Sequence, residues 1–336
     1  MPHWSVYTGS NQPHAGIREL PAPPPWRAFD GTPVLPAPRD TDDEAAVSPD
    51  RVHRARTYVA TPESVELVNA ALILRRPLLV TGPPGTGKSS LAYAVARELG
   101  LGPVLRWNIT SRSTLTDGLY RYDPLSRLYA ARRDDAHDGV EDHLRLGPLG
   151  TALLPYEQPR VLLVDELDKS DLDLPNDLLN VLEEGQYDIP ELLRAARKSA
   201  DDGPTVEVLA DGSETPVEIT RGRVRCRAFP FVVLTSNGER EFPPAFLRRC
   251  VRLRLRRPDR AQLTDIVRAH LDTPPAEAEP LIERFLERAA NGDLATDQLL
   301  NALYLTGVTG LDAADRSELA ERLMPYLDAV ADADGL

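Results

Sequence analysis

Short runs dense in apolar residues recur at 77–81, 104–108, 161–164, 231–235 and 251–255. The first, Pro77-Leu78-Leu79-Val80-Thr81, is apolar without alternation and predicts a strand covered on both faces. Between the runs the spacing becomes helical. Val65, Val68, Ala71 and Leu72 recur at helical intervals through Leu74. They follow Thr61-Pro62-Glu63, a capping hydroxyl, a proline for the first helical position and an early carboxylate. Residues 88–99 predict a second helix, closed by Gly100, and residues 174–184 a third. Strands alternating with helices imply a mainly parallel, doubly wound α/β sheet. From Pro258 onward the pattern changes. Residues 260–271, 276–290, 296–305 and 316–327 read as helices without a strand, an all-helical C-terminal domain. Over 201–226, Val206 and Val208 alternate on one side of Asp211-Gly212 and Val217 and Ile219 on the other, as in a hairpin.

The first 56 residues lack such periodicity. Pro21, Pro23, Pro24, Pro25, Pro33, Pro36 and Pro38 stand close together, followed by an acidic patch at 40–44. This composition predicts an extended arm, on which Trp4, Tyr7 and Trp26 are candidates for docking to a neighbouring surface. Three units follow: the arm at 1–56, the α/β domain at 57–257 and the helical lid at 258–336. A net charge of −13 over 336 residues argues against general affinity for nucleic acid or anionic membrane. Cys226 and Cys250 have no metal-ligand spacing and imply no disulfide framework. No signal-like start and no apolar run of about 18 residues is present, which predicts a soluble, cytoplasmic protein with no membrane partner. Lysine occurs only at positions 88, 169 and 198, every other cation being arginine, so a lysine here stands out from the background.

Lys88 lies in Gly82-Pro83-Pro84-Gly85-Thr86-Gly87-Lys88-Ser89, a full G-x-x-x-x-G-K-[ST] match between an apolar strand and a helix start. Glycines let backbone N–H groups turn inward around phosphate oxygens, and the helix start adds a positive dipole end; Ser90 continues that cradle. Lys88 is placed to reach the β- and γ-phosphates, and Ser89 to offer a hydroxyl to Mg2+. The alternative, a glycine-rich turn that binds nothing, is disfavoured by this context. The run 161–164 ends in Asp165-Glu166. An aspartate there suits Mg2+ coordination, and the adjacent Glu166 can polarise a water for attack. The run 231–235 leads through Ser236 to Asn237, either an amide holding that water or a residue favouring the turn before Gly238. Arg248 and Arg249 end a helical turn after Pro243-Pro244-Ala245-Phe246-Leu247. Either serves a neighbouring subunit's γ-phosphate, or both are solvated surface charges.

With these elements in order, the chain resembles AAA+ ATPases, and within them the MoxR-like group, over residues 57–336. Residues 82–89 take the Walker A place, 161–166 Walker B and Asn237 sensor 1. The stretch 242–250 resembles the arginine-finger helix, with Arg249 at the finger position and Arg248 where an acid is usual. Tyr122-Asp123-Pro124-Leu125, Gly147-Pro148-Leu149 and Asp165-Glu166-Leu167-Asp168-Lys169 run as in MoxR-like proteins, the first belonging to an insertion in the second helix. Residues 178–189 follow suit, and the hairpin before sensor 1 is another MoxR-like feature. The third lid helix departs from the family: Asp293-Leu294-Ala295-Thr296-Asp297-Gln298-Leu299 offers no sensor-2 arginine.

The resemblance implies a P-loop NTPase using ATP and Mg2+, with adenine near Tyr58 and Val59. It implies a homo-oligomer, a hexameric ring, that remodels a protein partner, commonly a von Willebrand A-type protein. An alternative is an ATP-gated assembly switch or scaffold in which turnover only resets the state. The missing sensor 2 and the docking arm point that way. A nucleic-acid remodeller is a third reading, opposed by the net charge.

Overall fold

In this computed structural model of the chain, the described residues are 4–36, 48–132, 139–197, 205–271, 278–289, 294–308, 318–319 and 322–325. The acidic patch at 40–44, Lys198 and half of the helix expected at 316–327 lie outside them. Helices α1 (Pro49–Thr57) and α2 (Pro62–Leu74) come first, then β1 (Leu78–Thr81), the glycine loop, α3 (Ser90–Leu99) and β2 (Leu105–Asn108). An insertion follows, with α4 (Leu115–Leu119), β3 (Tyr120–Tyr122), α5 (Pro124–Arg132), β4 (Leu144–Leu146) and α6 (Pro148–Ala152). Then come β5 (Val161–Asp165), α7 (Leu174–Glu184), β6 (Gln186–Asp188), α8 (Pro190–Ala196), β7 (Thr205–Leu209), β8 (Pro216–Thr220) and β9 (Arg223–Arg225). The last strands are β10 (Phe231–Ser236) and β11 (Val251–Arg254), either side of α9 (Pro244–Leu247); α10 (Arg260–His270), α11 (Ala278–Ala289) and α12 (Thr296–Val308) complete the order.

Local chemistry sets several of these boundaries. The Thr61 hydroxyl accepts the Ser64 N–H at 3.1 Å while the Ser64 hydroxyl accepts the Thr61 N–H at 2.9 Å, a closed capping box that starts α2. Gly100 ends α3 in the left-handed region, φ 62°, open to glycine without a side-chain penalty.

The main sheet has the order β11-β1-β10-β5-β2, every neighbouring pair parallel. Alternate residues of its strands feed two cores. Leu78, Val80, Val161, Leu163, Phe231 and Val233 pack with residues of α2 and α3 on one face. Leu79, Leu162, Val164, Val232 and Leu234 pack with Leu149, Leu178 and Phe246 on the other. This two-sided burial is why the strands show no polar alternation. A second sheet, β3-β4-β7-β8, contains the antiparallel hairpin pairing Val206 with Ile219 and Val208 with Val217, as the apolar alternation predicts. The helices after residue 258 form a separate core around Leu263, Val267, Ile282, Phe285, Leu299 and Leu303. Among the described residues no helix is long and apolar enough to cross a membrane.

The proline-rich start is extended but firmly packed. Tyr7 is fully buried, with Val6 and Ile17, in the core that contains α2 and α3, whereas Trp4 and Trp26 are exposed. The buried Asn69 side chain accepts the N–H groups of Val6 and Tyr7 at 2.7 and 2.9 Å and donates to the Tyr7 carbonyl at 2.7 Å. Glu98, also fully buried, accepts the N–H groups of Thr8, Gly9 and Asn11 and the Thr8 hydroxyl. Phe29 and Leu35 then pack on the opposite core, so the segment wraps from one face of the sheet to the other. Within the stretch read as extended, 49–57 is the helix α1, begun by Ser48 and Pro49 and carrying Asp50 in its first turn.

Candidate functional site

The glycine loop leaves β1 at the carboxyl edge of the sheet and enters α3. Gly85 and Gly87 take φ of 71° and 81°, values that let the backbone fold inward and that side-chain-bearing residues seldom adopt. Lys88 is buried, and its Nζ donates to the carbonyls of Gly82 and Pro83 at 2.8 Å each. The Thr86 hydroxyl donates to the same Pro83 carbonyl at 2.9 Å. Burial lowers the Lys88 pKa from the ordinary lysine value, against an upward pull from Asp168, Asp165 and Glu166. The buried ammonium is thus a cation held in place by two main-chain carbonyls of the loop.

Beside it, the Asp165 carboxylate at the end of β5 collects three donors. Ser89 Oγ lies 2.6 Å and Thr235 Oγ1 2.7 Å from its Oδ1, and Arg106 Nη2 lies 3.0 Å from its Oδ2. The Ser89 hydroxyl and Asp165 carboxylate form the hard-oxygen pair that Mg2+ accepts. Among the described residues no group of three or more His, Cys, Asp and Glu side chains is placed to hold a metal. A Mg2+ at Ser89 and Asp165 would complete its shell with phosphate and water oxygens.

Glu166 departs from the strand in the left-handed region, φ 62° and ψ 49°, and its N–H donates to Thr235 Oγ1 at 2.9 Å. That unusual backbone turn redirects the chain between Asp165 and Glu166, so that consecutive carboxylates serve different places. The Glu166 carboxylate pairs with Lys169 at 2.8 Å, both side chains being well exposed. Asn237 is held by its main chain: its N–H and that of Glu239 both donate to Asp168 Oδ2, at 2.9 and 3.1 Å.

These residues border one cleft of about 1050 Å³. Pro84, Gly85, Thr86, Gly87, Lys88, Ser89 and Ser90 line it, as do Asp165, Glu166, Thr235 and Asn237. Gly82 and Pro83 are not part of its wall and serve it through the carbonyls that hold Lys88. Tyr58 and Val59 line it too, together with Ile266, His270 and Leu300 of the lid. Thr57 Oγ1 and His270 Nε2 are 3.1 Å apart, a link between α1 and the lid. Arg249 is not brought into this cleft. Its Nε lies 3.4 Å from Glu183 Oε1 and its Nη1 donates to the Ala245 carbonyl at 3.3 Å, while Arg248 is exposed.

Three further residues belong to this constellation without having been singled out from the sequence: Thr235, Arg106 and Asp168. Arg106 carries a readable signal, a charge between the apolar Leu105 and Trp107 of β2. Its register partner Leu163 stands two residues before Asp165, on the same side of the sheet. Arg254 and Arg256, at the end of β11, also border the cleft, as do Thr296 and Asp297 at the start of α12.

The family model of an AAA domain, dynein-related subfamily, matches residues 77–250, just over half of the chain. None of the curated proteins matches it. Among solved structures, a candidate ATPase from Cytophaga hutchinsonii is similar, at 13% identity and a TM-score of 0.37. The similarity covers 65% of this chain and 53% of that one, so the chain spans about half the length of that protein.

Proposed function

The chain belongs to the AAA domain family, in its dynein-related subfamily, and from that membership we propose that it binds ATP with Mg2+ and hydrolyses it in the cleft between the glycine loop and the lid. The observation that carries this reading is the 2.6 Å contact between Ser89 and Asp165, which joins the loop that would hold phosphate to the strand that would hold the metal. Lys88 and the inward-turned backbone bind the phosphates. Mg2+ held by Ser89 and Asp165 neutralises charge on the phosphate oxygens. Glu166 takes a proton from the attacking water once it leaves Lys169, an exposed pairing of the kind that holds weakly. Asn237, fixed by Asp168, orients that water. Tyr58 and Val59 pack the base. Arg254 and Arg256 supply positive charge from the side where α12 begins with Thr296 and Asp297.

Arg249 lies outside its own cleft, which fits a finger delivered to the next subunit of a ring. The inserted β3 and α5 and the β7–β8 hairpin agree with a MoxR-like member of the family, and such a ring would remodel a protein partner of the von Willebrand A type. The acid at Asp297, where an arginine would sense the γ-phosphate, favours the second reading, an assembly switch with slow turnover.

Lys88→Ala is expected to abolish ATP binding in an equilibrium titration with a fluorescent ATP analogue; tight binding by the variant would overturn the proposal. Arg249→Ala is expected to lose hydrolysis and to regain it on mixing with Glu166→Gln, since each then supplies what the other lacks.

A further inference from the structure

Arg27 is the most heavily engaged arginine of the N-terminal segment. Only 4% of it is exposed, although it sits beside Trp26, which is 76% exposed. Its Nε and Nη2 donate to the Arg75 carbonyl at 3.0 and 2.8 Å, where α2 ends. Nη2 also reaches the Leu182 carbonyl and Nη1 the Glu183 carbonyl, each at 3.0 Å, in the last turn of α7. The rings of Phe29 and Phe229 approach its guanidinium carbon, with centroids at 5.3 and 4.4 Å. A buried guanidinium persists only where its fork is matched by acceptors, and this one is matched by the ends of two helices.

The same site extends to a carboxylate. Glu183 Oε2 lies 3.6 Å from Arg27 Nη1, and Glu183 Oε1 lies 3.4 Å from Arg249 Nε. Glu183 therefore stands between a buried, immobilised arginine and a half-exposed one. We propose that Arg27 and Glu183 are positioning residues for Arg249: the N-terminal segment fixes the end of α7, and Glu183 fixes the inner edge of the Arg249 guanidinium. The remaining donors of Arg249 are then presented in one orientation instead of many. This rests on the reading of Arg249 as a finger for a neighbouring subunit. It assigns the proline-rich segment a role in turnover although none of its described residues before α1 borders the cleft.

The test is a double-mutant cycle in the full chain, reading kcat for ATP hydrolysis and, separately, equilibrium ATP binding. Glu183→Ala is expected to lower kcat about tenfold with ATP affinity unchanged, a loss of orientation and not of binding. In the Arg249→Ala background the same change is expected to do nothing further to the residual rate. Arg27→Lys keeps the charge but loses the planar fork, and is expected to lower kcat in the same direction. Should that variant fail to fold, the Glu183 cycle stands by itself, because Glu183 is half-exposed. If Arg249→Ala leaves turnover unchanged, the finger assignment falls and the positioning role with it. If Arg249→Ala lowers turnover to a measurable residual rate but Glu183→Ala has no effect, or an equal effect in both backgrounds, the positioning role alone is overturned.

Discussion

Thr235 shows how one hydroxyl can organise two carboxylates. It is 1% exposed, accepts the Glu166 N–H at 2.9 Å and donates to Asp165 Oδ1 at 2.7 Å. Thr235→Val keeps the shape and removes both bonds, leaving a partly buried N–H without its acceptor, a loss of about 1 kcal/mol. The expected outcome is a lower unfolding midpoint and slower hydrolysis, while Thr235→Ser stays close to the native protein in both. Equal behaviour of the two variants would show that the hydroxyl is not what holds the pair. The residues readable in the sequence are those contiguous along it, as in Gly82 to Ser89. Thr235, Arg106 and Asp168 come together only through strand register: β10 beside β5, and β5 beside β2. Asp168 acts on Asn237 across 69 residues of chain, a pairing no local pattern marks.

Elements show the same division. Strands with two covered faces, capped helices and the hairpin each write a local signature, and the structure places them where the signature lies. The N-terminal segment writes none, because its order comes from acceptors on other elements. Its prolines remove donors and favour extended backbone, while Asn69 on α2 and Glu98 on α3 supply the bonds it cannot make internally. Asn11 in turn donates to the Tyr58 carbonyl at 2.6 Å, next to the cleft wall. Asn69→Ala strands two N–H groups and a carbonyl of Val6 and Tyr7, and about 2 kcal/mol is expected to be lost at this one position. Limited digestion checks it: chymotrypsin is expected to cut after Tyr7 in the variant and to leave that bond intact in the native protein, in which Tyr7 is buried whereas Trp26 is exposed. Resistance of both would mean that burial of Tyr7, and not the Asn69 bonds, seats the segment.

For the whole molecule, the decisive relation is between two cores that share no residues and meet over the glycine loop. Gly85 is one point where they approach closely. A Cβ built there would lie 2.5 Å from the Ala295 Cβ and 2.8 Å from the Thr296 N, at the start of the third lid helix. Its φ of 71° adds a second penalty for any side chain, on the order of 1–2 kcal/mol. Gly85→Ala is therefore opposed twice, once by backbone and once by the lid, and the two can be separated. Ala295→Gly removes one methyl from the lid and leaves the loop backbone untouched. The double variant is then expected to recover part of the ATP affinity that Gly85→Ala loses, roughly tenfold for each 1.4 kcal/mol regained. Recovery measures how strongly lid and loop are pressed together when nucleotide is held. No recovery would place the loss in backbone alone, that of the loop and that of the lid, where the Ala295 Cα and Thr296 N stay 2.7 and 2.8 Å from the added Cβ.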